Sequence, residues 1–160
     1  MLEFKGRQRD VWGRYYTELF FLDEVTALAA GHRPCFECRR KEAEAFAEAW
    51  RQAFKLAGRP HADEMDLVLQ VERLDGRNKR LHRRNIDGLP DGAFVALEEG
   101  AWAVRGKSLL RWTPKGYDIS KRRPRGAVVN VLTPPAIVAA LAAGYQLHWH
   151  PSADAISLPP

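Results

Sequence analysis

The apolar positions of this chain fall into short periodic runs divided by charged turns. Residues 2–22 alternate charged and aromatic positions and close on YTELFFL, which predicts a strand carrying Tyr16, Phe20 and Phe21. Asp23 then suits the N-cap of a short helix over 24–30, and Gly31 suits the left-handed residue just past its end. A second helix is expected over about 39–57. Its Phe46, Trp50 and Phe54 recur every four residues with Ala43, Ala47 and Ala53 beside them, forming one apolar stripe. Gly58 and Pro60 stop it. A third helix over 63–74 turns Met65, Val68 and Val71 to one side.

The pattern changes after residue 74. DGRNKRLHRRNIDGLPDG reads as a basic, turn-rich connector, followed by strand candidates at 93–97, 101–104 and 108–112. EEG and RGK separate those strands at hairpin lengths. ISKRRPRG reads as a second basic loop and AVVNVL as a strand, after which Thr133 and Pro134 open a helix that ends at Gly144. The tail HPSADAISLPP is expected to be poorly ordered. The fold class is therefore α+β: a helical first half with a Cys-x-x-Cys turn, then a β-meander. A length of 160 residues suits one compact domain over 1–160, divided into 1–60, a helix plus basic β-rich segment over 61–150, and a tail over 151–160.

Charge sharpens this division. Residues 1–76 hold 12 Lys and Arg against 14 Asp and Glu, whereas residues 77–160 hold 13 against 6. A one-sided basic face favours a polyanionic partner such as nucleic acid. The candidate contacts are Arg33, Arg77, Lys79, Arg80, Arg83 and Arg84, then Lys121, Arg122, Arg123 and Arg125. Trp102, Trp112 and Tyr117 interleave with the second cluster, so bases could stack there, although Trp112 shares a pleat face with Leu110 and also suits a core. No run reaches the length of a membrane span, and the charged start MLEFKGRQRD resembles no export signal. The expected compartment is a reducing cytoplasm.

The only two cysteines, Cys35 and Cys38, stand three residues apart at the start of the second helix. A tight turn there points both sulfurs to one side, and helical N–H groups stabilise thiolates, which suits zinc. The same features suit redox chemistry, and two ordinary half-buried thiols are the third alternative. A redox pair more often follows a strand directly, whereas here a helix and GHRP intervene.

The segment EVTALAAGHRPCFECRRKEA closely resembles the metal-binding N-terminal domain of the Ada methyl-phosphotriester repair family. The match lies in Phe20 and Phe21, residues 27–31, Arg33-Pro34-Cys35 and Cys38, within about residues 16–42. It implies that residues 1–60 form an Ada-like module with zinc held by Cys35 and Cys38. It also implies two further cysteine ligands upstream, one of which accepts the methyl group. Residues 1–8 contain neither cysteine nor histidine, so the resemblance does not extend to phosphotriester repair.

Histidines or acids would have to complete a site within this chain. His148 and His150, two apart on an expected strand, would share a face and could form a Cys2His2 set with the two thiols. His32, His61 and His82 are the remaining candidates. The sequence contains no phosphate-binding glycine loop, nucleophile elbow or His-Glu-x-x-His helix. The function expected is nucleic-acid binding with a degenerate zinc module. The alternatives are a metal-dependent hydrolase such as a nuclease, using His82 or His150, or a non-catalytic protein-interaction module.

Overall fold

The structure is a computed structural model, and it describes residues 2–4, 7–9, 19–98 and 100–156. It is α+β. Two short strands, β1 (Leu2–Phe4) and β2 (Arg7–Arg9), pair antiparallel. Helices α1 (Glu24–Ala29), α2 (Arg40–Ala53) and α3 (Ala62–Arg73) follow. A small hairpin joins β3 (Leu74–Asp75) to β4 (Asn78–Lys79). The main sheet comprises β5 (His82–Asn85), β6 (Phe94–Leu97), β7 (Gly100–Arg105), β8 (Ser108–Thr113), β9 (Gly116–Arg122) and β10 (Val128–Val131). Its order is β5-β10-β6-β7-β8-β9, with every pair antiparallel. Helices α4 (Pro135–Ala142) and α5 (Ser152–Ala155) close the described chain.

Local chemistry explains the helix starts. The Asp23 carboxylate accepts the Thr26 backbone N–H at 2.8 Å, a side-chain cap. Gly31 has φ of +89°, and a β-carbon there would stand 2.8 Å from Arg73 Cβ, so both backbone and space require glycine. Helix α4, PAIVAALA, is apolar all round because it is buried on two sides. Its Ile137 and Leu141 join Phe46, Trp50, Met65 and Leu69 in a helical core, while Val138 packs into the sheet core of Val95, Trp102, Val104, Leu109 and Val131.

Several expectations are corrected. Residues 19–22 form no strand, and Leu19, Phe20 and Phe21 are exposed; neither edge strand of the main sheet, β5 or β9, pairs with them. The rest of that expected strand, including Tyr16, lies outside the described residues. Phe54 is 45% exposed because α2 stops at Ala53, one residue before the stripe would complete another turn. On α3 the buried pair is Met65 and Leu69, spaced four apart, which leaves Val68 and Val71 outside. The basic connector contains β3, β4 and β5, and the second basic loop contains most of β9. Residues 145–150 form no strand. The tail is ordered through α5, whose Ala153 is buried against Tyr117 and Leu110. Among the described residues no helix is long and apolar enough to cross a membrane.

Candidate functional site

The expected basic residues divide into two groups once their partners are known. Arg33 donates to Asp66 at 2.7 Å and to the Pro34 carbonyl at 3.1 Å. Arg80 donates to the Leu74 carbonyl at 3.0 Å. Lys121 Nζ lies 4.0 Å from the centre of the Trp102 ring, and Trp102 itself is only 2% exposed. Arg123 donates to the carbonyls of Ile86 and Leu89, clamping the end of β9 to the turn that follows β5. These four cations hold the fold together. With Trp102 and Tyr117 buried and Trp112 packed against the core, stacking platforms for bases are absent from the described sheet.

Lys79 also serves structure. Its Nζ donates at 2.9 Å to the carbonyl of Ala29, the last residue of α1, where a cation complements the helix end. Burial first, then the nearby Arg73, push its pKa down to about 8. The unfolded value lies near 10.4. Between pH 8 and about 10 the unfolded chain therefore binds more protons than the folded one, so stability should rise with pH. Above that window Tyr117 and Tyr145, both raised chiefly by burial and next by Asp23 or Glu24, act in the opposite sense. Urea midpoints should increase from pH 8 to 9.5 in the native chain, and Lys79→Met should flatten the trend.

The second group points outward. Arg77 sits in the β3–β4 turn, and Arg83 and Arg84 lie exposed on the edge strand β5. The β7–β8 turn and the β9–β10 loop converge on an open cleft of about 190 Å³. Gly106, Lys107, Arg122, Arg123, Pro124, Arg125 and Asp87 line it. Asp87, its one carboxylate, already accepts the Gly126 N–H at 2.8 Å. Among the described residues no carboxylate pairs with Lys107, Arg122 or Arg125. Cations so placed can accept oxyanions. The separation of residue 107 from 122–125 concealed this cluster; only the two-residue hairpin turn brings Lys107 there.

The cysteine turn is a separate place. Cys35 and Cys38 are thiols just ahead of α2, with Cys38 exposed and Cys35 half-buried. The Glu37 N–H donates to Cys35 Sγ at 3.4 Å. Burial works to raise the Cys35 pKa, but the N–H groups of Cys38 and Glu37, the Cys38 thiol and Arg33 together outweigh it, and the net direction is downward. His32, against Phe21 with ring centres 5.3 Å apart, is pushed below its ordinary value by burial, then by Arg73 and Lys79.

The adjacent acids Asp23 and Glu24 bring His148 and His150 to α1, but by their backbones. Glu24 accepts the His148 N–H at 3.0 Å and Asp23 accepts the His150 N–H at 3.0 Å. The His150 ring instead meets Ser152 Oγ at 2.8 Å, and the His148 side chain borders a groove beside Glu42 and Tyr145. His82 Nε2 contacts the Glu72 carbonyl at 2.8 Å. Among the described residues no three His, Cys, Asp or Glu are grouped to hold a metal ion. Two thiols alone do not fit a tetrahedral zinc site, which requires four ligands.

Comparisons with family models, curated proteins and solved structures gave no match. The functional reading consequently rests on the basic cleft, the edge strand and the cysteine turn.

Proposed function

We propose that this protein binds nucleic acid through its phosphates. The observation that carries the reading is the cleft of Lys107, Arg122 and Arg125, where two sequence-distant segments place cations with no pairing carboxylate among the described residues. Strand β5 extends the basic surface. Arg84 pairs in register with Val129 and Arg83 with Asn130, four or five residues along the chain from Arg125, so the two arginines face opposite sides of the strand and one of them can join the band. A string of phosphates could follow such a band, and because Trp102 and Trp112 are packed inward the contacts would be largely sequence-independent.

The same reading takes the chain as one domain. It takes the helix, the Arg33-Pro34-Cys35 turn, Cys38 and α2 as a degenerate Ada-like module. The protein-interaction alternative is favoured by one feature, the exposed Leu67, Val68 and Val71 on α3.

The test is fluorescence anisotropy of labelled single-stranded DNA, duplex DNA and RNA oligonucleotides at low salt. All three should bind with micromolar or tighter affinity and little sequence preference. Absence of binding to any of them at 50 mM salt would remove this function.

A further inference from the structure

We propose that Cys35 and Cys38 form a thiol–disulfide exchange site for peptide disulfides, independent of the nucleic-acid surface. The geometry supplies the three parts such a site needs: a nucleophile, a resolving thiol within reach, and a place for the substrate to lie.

The turn itself joins the first two. Arg39 N–H donates to the Cys35 carbonyl at 2.9 Å, so the cysteines span a helical turn that points both side chains the same way. Residues three apart on such a turn have Cβ atoms about 5–6 Å apart. A disulfide needs about 3.5–4.5 Å, so closure takes only a small tightening. That tightening falls ahead of α2, whose first residue is Arg40, and leaves the helix's own ladder intact.

The third part is a cleft of about 550 Å³ that opens on both sulfurs. Leu19, Phe21 and Pro34 form an apolar wall, and Phe20 beside them is 67% exposed. The charged side chains at its margin are already engaged: Arg33 with Asp66, and Arg39 with Glu24 at 2.9 Å. What the cleft offers an incoming molecule is therefore apolar surface next to sulfur, which suits a disulfide carried on a peptide. A tetrahedral metal site would instead need two more ligands converging here, and the described residues supply none.

The exchange balances as follows. Cys35 gives its proton to water and, as the thiolate, attacks one substrate sulfur. The substrate S–S bond breaks and the second sulfur leaves as a thiolate. Cys38 gives its proton to that thiolate, and its sulfur attacks Cys35 in the mixed disulfide. The remaining substrate thiolate departs and takes a proton from water. Two electrons pass from the dithiol to the substrate, which ends as two thiols, while Cys35 and Cys38 end as a disulfide.

Reduced full-length protein, treated with a chelator, should be equilibrated with graded glutathione and glutathione disulfide, alkylated and weighed by mass spectrometry. The native chain should lose two hydrogens as the ratio becomes oxidising and regain them with dithiothreitol. Cys38→Ser should accumulate one glutathione on Cys35, and Cys35→Ser should do so at least tenfold more slowly. The proposal is overturned if both thiols stay alkylatable across the whole series. It is also overturned if the native chain carries glutathione without closing. Stoichiometric zinc that must be stripped before any exchange occurs would overturn it as well, since the pair would then be a metal site.

Discussion

Glu24→Ala should lower the free energy of unfolding by about 3–5 kcal/mol, the cost of removing one partner from a buried charged network. The Glu24 side chain is 2% exposed. One oxygen accepts the Tyr145 hydroxyl at 2.8 Å and pairs with Arg39, and the other accepts the His148 N–H. Alanine leaves the buried Tyr145 hydroxyl and the part-buried His148 N–H without an acceptor and loosens the 145–148 segment from α1. For a chain of this size the melting temperature should fall by roughly 10 °C. Tyr145→Phe deletes a single bond and should cost about 1–2 kcal/mol, which separates the network from one contact. A loss below 1 kcal/mol for Glu24→Ala, read from urea unfolding, would show that solvent or another donor set replaces the network.

Reversing Lys107, Arg122 and Arg125 to glutamate should weaken oligonucleotide binding by about 10³-fold at 0.1 M salt. Each phosphate contact releases close to one counterion, which at that concentration is worth roughly tenfold, and three contacts are lost. Arg123→Ala makes the contrast. Arg123 faces the same cleft, but its guanidinium is committed to the carbonyls of Ile86 and Leu89. Its removal should cost about 2–3 kcal/mol of stability, while the folded fraction binds nearly as the native chain does. Filter binding alongside thermal melts distinguishes the two outcomes. If Arg123→Ala abolishes binding without destabilising the fold, the division between structural and phosphate-facing cations is wrong.

How far the sequence carried depends on the reach of the interaction. The Asp23 cap and the Gly31 turn were legible because each is decided by residues within one helical turn. The α+β class and three of the meander strands were legible from short apolar runs set apart by EEG and RGK at hairpin length, a signal carried by neighbouring residues. β9 was not, because Lys121 and Arg122 look like loop when nothing shows that Leu109 and Ser108 lie opposite them. The role of Arg123 was equally hidden, as its carbonyl partners are 37 and 34 residues away. His148 and His150 were singled out as side-chain partners of Cys35 and Cys38, whereas it is their backbone amides that make the connection, to Glu24 and Asp23. No periodicity distinguishes those cases. On α3 the buried stripe was misplaced by one residue, because Val68 and Leu69 are equally apolar and only packing against α4 selects Leu69.

The most direct test of the central claim is the salt dependence of oligonucleotide binding. Lys107, Arg122 and Arg125, with one of Arg83 and Arg84 since these face opposite sides of β5, offer about four phosphate contacts. A plot of log affinity against log salt should therefore be linear with a slope of about −4 for duplex DNA. The Lys107→Ala, Arg122→Ala, Arg125→Ala chain should show a slope shallower by about 3. A slope near zero for the native chain, or an unchanged slope in the triple variant, would contradict the assignment of this cleft to nucleic-acid phosphates.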